Sequence, residues 1–429
     1  MSNRYIPNDT EEIRERIKKA VGLDETEDLF SDIPIDIRLR RPLSIPGPLS
    51  ELEVKIEAEK ILERNRSVTE FTSFLGGGVW PHYVPIVVDE VSSRSEFLTS
   101  YTPYQPEISQ GILQALFEYQ SMICELLDMD VANCSMYDWP SSLGEAARMA
   151  ARVTQRNEFL VPHYISPERM AVLRAYTEPA EIKILEINQN LTDGQIDLED
   201  LKEKISKNTA GVYIENPSYL GFLIDSLEAV SEIVHDAKGL FIVGVDPASL
   251  GVVRPPGNYG ADIVVGEGQS LGNYMNSGGP LLGIFACKDE ASLIRQMPGR
   301  IVGMTTTEDG GNRAFCMVLQ TREQHIRRHK ATSNICTNET LCALRAAVYM
   351  ALLGRRGFKE FTVNFDQTPK SVEQVNHGLF VRGFLGDEPL NYEFSELGQT
   401  SLYCITEMHT LEEIEMLQRS IEEILEDQV

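Results

Sequence analysis

The sequence has no CxxC pair, no His/Cys spacing of the zinc-holding kind and no apolar run long enough to span a bilayer. Its seven cysteines (Cys124, Cys134, Cys287, Cys316, Cys336, Cys342 and Cys404) are scattered, mostly inside apolar segments. That usage predicts reduced, structural thiols in a cytosol-like compartment and no bound metal. Basic residues are scarce, 39 Lys and Arg against 65 Asp and Glu, for a net charge of −26. Such a balance disfavours nucleic-acid backbones and anionic membranes as partners. The opening "MSNRYIPNDTEEIRERIKKAVG" is charged and amphipathic, where a secretory leader needs an apolar core and a cleavage site. The longest apolar run, near "CALRAAVYMALLG", is short and interrupted. Together these absences predict a soluble, cytoplasmic protein.

What is present suggests an enzyme-sized α/β chain. With 429 residues, 42% hydrophobic and 24% charged, it can hold two domains, or one large domain with a smaller one attached. Residues 1–66 are rich in charge and helix formers and are broken by "RPLSIPGPLS", which predicts an N-terminal helical arm reaching across a surface. Over residues 67–335, "EIKILEIN", "AGVYIEN", "LFIVGVD", "DIVVGEG" and "PLLGIFA" read as short buried strands. Helical patterns such as "DSLEAVSEIVHDAKG", with an aspartate start, lie between them. The alternation predicts a mostly parallel central sheet covered by helices, with ligands at the carboxyl ends of its strands. Residues 336–429 read as a linking helix, "TNETLCALRAAVYMALLG", followed by a small α+β unit.

Three stretches carry candidate chemistry. In "MYDWPSSLGEAARMAARVTQRN", Ser142 and Glu145 have capping-box spacing before a strong helical pattern. Ser141 and Ser142 there offer hydroxyls and free N–H groups to an anion, or form an ordinary cap. In "YIENPSYLG", Asn216 ends a strand, either as a donor to a cofactor oxygen or as part of an Asn-Pro turn. Asp246 ends "LFIVGVD", where a carboxylate either keeps a pyridinium nitrogen protonated or caps a turn before Pro247. In chain order the set resembles the framework of fold type I transferases that use pyridoxal phosphate (PLP).

One part of that framework is missing. The next loop, Gly268-Gln269-Ser270-Leu271, has Gln269 and Ser270 where such enzymes carry a His-Lys pair. Covalent capture of the aldehyde needs an amine. The chain is therefore expected to have no catalytic residue of its own, with Ser141, Ser142, Asn216 and Asp246 left as positions of a vestigial site.

Two further segments are dense in polar and aromatic groups. "SRSEFLTSYTPYQPEISQG" presents Tyr101, Thr102, Tyr104 and Gln105, and reads as a binding segment or as a structural loop. "LQTREQHIRRHKATSNICTNETL" leads a run of basic residues into Thr332, Ser333 and Asn334, expected at the start of the linking helix. That arrangement suits an anion, and equally a polar helix cap on a basic surface.

These two segments, extended through "ILQALFEYQSMICELLDMDVAN" and joined by "MPGRIVGMT", resemble the α-type, subunit 1 branch of the glycine cleavage system P-protein family, the decarboxylating glycine dehydrogenases. The likeness runs over essentially the whole chain. It implies a heterotetramer-type assembly in which a β-type subunit carries the lysine and holds PLP covalently. The pair would decarboxylate glycine and pass its aminomethyl group to the lipoyl arm of the carrier H-protein. This chain would complete the partner's site. On that resemblance, Thr332, Ser333 and Asn334 are expected at the partner's PLP phosphate, and Tyr101, Thr102, Tyr104 and Gln105 at the glycine and lipoyl pocket. The alternatives are a scaffold or H-protein-docking subunit, and a stand-alone PLP protein using another lysine such as Lys288 or Lys330.

Overall fold

The protein is described here by a computed structural model. It covers residues 5–6, 9–39, 41, 43–68, 70–98, 102–190, 192–335, 337–353, 359–364, 370–386 and 388–426. The chain divides into two compact units, Met1–Arg66 and Ser67–Val429.

The first unit contains helices Glu11–Val21 and Glu51–Leu62. Thr10 caps one, and a Ser50–Glu53 capping box starts the other. None of its described residues is buried.

The second unit is built on a seven-stranded sheet. Its strands are β1 (Val131–Ala132), β2 (Glu158–Pro162), β3 (Lys183–Ile187), β4 (Thr209–Glu215), β5 (Leu240–Val245), β6 (Ile263–Glu267) and β7 (Gly283–Cys287). The spatial order is β1-β7-β6-β5-β4-β2-β3. β3, β2, β4, β5 and β6 pair in parallel, while β7 runs antiparallel to both β6 and β1. The five strands expected from sequence are all here. Their near-continuous apolar character follows from burial on both faces of a parallel sheet. Phe159, Phe241 and Phe285 are fully buried within it, each worth about 1.5–3 kcal/mol of transfer free energy.

Five helices matter for the site: α1 (Gln110–Leu127), α2 (Trp139–Thr154), α3 (Pro167–Thr177), α4 (Leu227–Asp236) and α5 (Thr340–Leu353). Ala146, Ala147 and Ala150 bring α2 close to the sheet, where they share a core with Phe159 and Tyr213. α4 starts after Ser226, not at the aspartate suggested by the sequence. Asp225 lies one residue outside, and its N–H donates to Gln195 Oε1.

Strands β8 (Ile301–Thr306) and β9 (Arg313–Val318) form an antiparallel hairpin. The C-terminal part holds a three-stranded antiparallel sheet of Lys359–Asn364, Thr400–Ile405 and Glu388–Pro389. Helices Val372–Val381 and Leu411–Glu426 contribute Val375, Leu379, Leu417 and Ile424 to its small core, which Phe74 joins from far upstream. Thr72–Ser73 pairs in parallel with Phe384–Leu385, a long-range contact that local spacing does not announce.

Candidate functional site

Strands β4, β5 and β6 end side by side, so Asn216, Asp246, Gln269 and Ser270 gather along one carboxyl edge. Ser270 Oγ donates to Asp246 Oδ1 over 3.3 Å. The serine at the expected lysine position thus meets the carboxylate expected at a pyridinium. Asp246 also caps the short turn Pro247–Gly251, accepting from the Ala248 N–H at 2.9 Å. Of the two sequence readings of Asp246, the turn cap before Pro247 is the one this geometry shows. Asn216 Oδ1 accepts from the Ile224 N–H at 3.0 Å, which commits that oxygen to closing the loop after β4. Gln269 is a cross-link. Its Nε2 donates to the Asn273 carbonyl at 2.8 Å, and its Oε1 accepts from the Trp80 N–H at 3.5 Å.

The start of α2 differs from the sequence expectation. Asp138 is the cap and forms the capping box with Ser141; Ser142 and Glu145 do not. Asp138 has the extended backbone of a cap, and Pro140 behind it sits in the first turn, where a missing N–H costs least. Both serine hydroxyls bond back to the Asp138 carbonyl, Ser141 at 3.1 Å and Ser142 at 2.7 Å. Glu145 consequently lies in the second turn, buried and free for another use.

A cavity of about 310 Å³ opens beside Asp246, walled by Trp80, Trp139, Arg169, Tyr219 and Ser249. Among the described residues lining it there is no lysine. Arg169, from α3, stacks over the Trp139 ring at 4.1 Å and pairs with Glu215 at 2.9 Å. Trp139 Nε1 donates to Tyr213 Oη, and Tyr213 Oη donates to Glu215 Oε1, each at 2.9 Å. Burial lifts the Glu215 carboxyl above the usual range, against the pull of Arg169 and Tyr213. Gly244 makes this packing possible, because a Cβ there would stand 2.2 Å from Tyr213 Oη. Polar groups that could face a ligand are thus largely bonded to one another.

Lys288 serves the opposite edge of the sheet. Its Nζ donates to Asp262 Oδ1 at 2.6 Å, just before β6 begins. Lys330 ends a short exposed turn, Arg328–Lys330, and does not line the cavity. Neither lysine lines the cavity beside Asp246.

A second constellation brings three sequence segments together. Tyr104 Oη accepts from Arg300 Nη2 at 3.3 Å, and the tyrosine ring meets His325 edge-on at 5.3 Å. Arg300 Nη1 donates to Asn338 Oδ1 at 3.2 Å, while His325 Nδ1 lies 3.5 Å from Glu323 Oε2. Gln110 sutures this region to β9, its side chain exchanging 2.9 Å hydrogen bonds with both backbone groups of Phe315. Tyr104 and Gln105 are exposed and Thr102 is half-buried; Tyr101 lies outside the described residues.

Thr332, Ser333 and Asn334 do not start a helix. α5 begins at Thr340, and the three residues form an irregular strap before it. The Ser333 hydroxyl accepts from the Ile335 N–H at 3.2 Å, a local bond that competes with helix formation. Ser333 Oγ donates to Glu145 Oε1 at 2.8 Å. The other oxygen, Glu145 Oε2, is buried without a hydrogen-bond partner among the described residues, and burial raises this carboxyl above its usual range. Since Trp139 and Glu145 share α2, cavity wall and strap contact are separated by roughly 9 Å of helix.

Sequence reasoning missed Arg169, Glu215, Glu267 and Arg300. Glu267 did leave a signal, a carboxylate inside the apolar run "DIVVGEG". Arg169 left none, since its helix reads as a surface one.

Comparison with known proteins matches residues 3–419 to the family model described as glycine cleavage system P-protein. A glycine dehydrogenase (decarboxylating) subunit 1 from Staphylothermus marinus is 46% identical, over 99% of each chain. A crystal structure of glycine decarboxylase (P-protein) of the glycine cleavage system, in inhibitor-bound form, superposes with a TM-score of 0.84. It is 39% identical, over 99% of this chain and 100% of the other. A sphingosine-1-phosphate lyase from Burkholderia pseudomallei shares the fold at a TM-score of 0.62 and 12% identity.

Proposed function

The chain belongs to the glycine cleavage system P-protein family as a subunit 1, and from that premise we propose that it is the lysine-less half of a glycine-decarboxylating pair. Subunit 2 would carry PLP on its lysine, and this chain would complete that site. The observation carrying the reading is the Ser270–Asp246 contact, a cofactor-type carboxylate answered by a hydroxyl instead of an amine.

When bound, PLP supplies the electron sink for loss of CO2 from glycine. The residues of this chain would orient and enclose. Tyr104 is held by Arg300, and Thr102 and Gln105 flank it, in a place suited to line the glycine and lipoyl pocket. The Thr332–Asn334 strap would approach the partner's phosphate with hydroxyl and amide groups. Glu145, with one buried oxygen unpartnered, stands directly behind Ser333 and fixes its hydroxyl. Lipoylated H-protein would then receive the aminomethyl group at an opening between the subunits, from which these side chains exclude water.

A cytoplasmic setting fits the free cysteines. Burial pushes the thiols of Cys124, Cys134, Cys287 and Cys342 up to about 12, which keeps them inert.

The test is to reduce the two-subunit enzyme with borohydride and locate the pyridoxyl group by mass spectrometry. The reading expects it on subunit 2. A pyridoxyl group on any lysine of this chain would contradict it.

A further inference from the structure

A bound phosphate at a helix start needs free backbone N–H groups, and at α2 each of them has a partner within the fold. The Trp139 N–H donates to Glu267 Oε2 at 3.2 Å. Pro140 has no N–H to offer. The Ser141 N–H donates to Asp138 Oδ1 at 2.7 Å, and the Ser142 N–H to the Asp138 carbonyl at 3.1 Å. The two hydroxyls are turned back to that carbonyl as well.

Glu267 makes this closure firm. It is the last residue of β6, immediately before the loop where a lysine would stand, and it is buried. Its Oε1 accepts from the Leu282 N–H at 2.8 Å and from the Gln269 N–H at 3.1 Å. One carboxyl group therefore joins the helix start, the lysine-position loop and the approach to β7. Space is equally short. A Cβ added at Gly283 would stand 2.5 Å from the Asp138 carbonyl oxygen and 2.7 Å from Ser142 Oγ. A phosphate is larger than a methyl group, and it would have to displace the Glu267 oxygens from the N–H groups they already accept.

Resting on the reading of this chain as the lysine-less subunit, we propose that Glu267 is a specificity-determining residue: its carboxyl group fills the phosphate position of this chain's own cofactor-type site and so reserves PLP for the homologous site on subunit 2. The block is independent of the missing lysine. Restoring an amine at position 270 would leave the phosphate without a place to bind.

The experiment uses the two-subunit enzyme with Ser270→Lys, with Ser270→Lys plus Glu267→Ala, and with Ser270→Lys plus Glu267→Asp in this chain. Each is equilibrated with PLP, reduced with borohydride and digested, and the pyridoxyl group at position 270 is quantified by mass spectrometry. Ser270→Lys alone should label weakly. The Glu267→Ala double variant should raise labelling about ten-fold, which corresponds to ~1.4 kcal/mol of binding. Glu267→Asp keeps a carboxyl but withdraws it by one methylene; it should raise labelling to a smaller extent, and it decides the matter if the alanine variant fails to fold. Equal labelling by Ser270→Lys alone and by a folded double variant would overturn the proposal. The lysine of subunit 2 is read in the same digest. Its failure to label would count against the functional reading, while the comparison at position 270 would stand by itself.

Discussion

Ser270 Oγ and Asp246 Oδ1 are 3.3 Å apart, joined by a hydrogen bond across the carboxyl edge of the sheet. If the cofactor belongs to subunit 2, Asp246 is a structural group in this chain. Asp246→Asn should then leave kcat/KM of the assembled enzyme within about two-fold of the parent. A loss of orders of magnitude would mean that this chain runs chemistry of its own.

Arg169, in the cavity wall, pairs with Glu215, and both side chains are almost wholly buried. Removing one partner strands the other, which typically costs about 3–5 kcal/mol. Arg169→Met should therefore lower the denaturant midpoint strongly, and adding Glu215→Gln should recover much of the loss. A double variant no more stable than the single one would show that the pair is not the source of the cost.

Glu267 links stability to pH. Burial pushes its carboxyl up to about 8, although three backbone N–H groups pull the other way. The unfolded chain releases this proton near the ordinary glutamate value of about 4.3. Between those values the folded state binds more protons, so the group's stabilising contribution is lost as pH rises toward 8. Glu267→Gln has no such proton. The stability of this variant relative to the parent should climb across that window, and a flat difference would refute the linkage.

Tyr104 reports on the proposed contribution to the partner's site. Tyr104→Ala in the assembled enzyme should lower kcat/KM about ten-fold, equivalent to ~1.4 kcal/mol of transition-state stabilisation. Assembly, followed by sedimentation, should persist. Unchanged kinetics in an assembled enzyme would remove Tyr104 from the site.

The strands around Asn216, Asp246 and Ser270 were legible because their apolar runs and polar endings are local signals. Ser270 was legible as a substitution because the surrounding pattern was intact. The Arg169–Glu215–Tyr213–Trp139 network was not, since its members come from a strand and two helices brought together only by packing. The α2 start was misplaced by a few residues, because Ser-x-x-Glu spacing also arises inside a helix that Asp138 already caps. Thr332–Asn334 misled in a related way. A hydroxyl-rich run reads as a helix cap, but here Ser333 bonds to Ile335 and Glu145. Phe74 entered the C-terminal core through a parallel pairing that no local pattern marks.

The central claim is that this chain is inactive alone and required in the pair. Exchange of labelled CO2 into the glycine carboxyl, with lipoylated H-protein present, should be measured for each purified subunit and for the two co-expressed. The account predicts exchange from the pair and none from this chain by itself. Sustained exchange by this chain alone would contradict it.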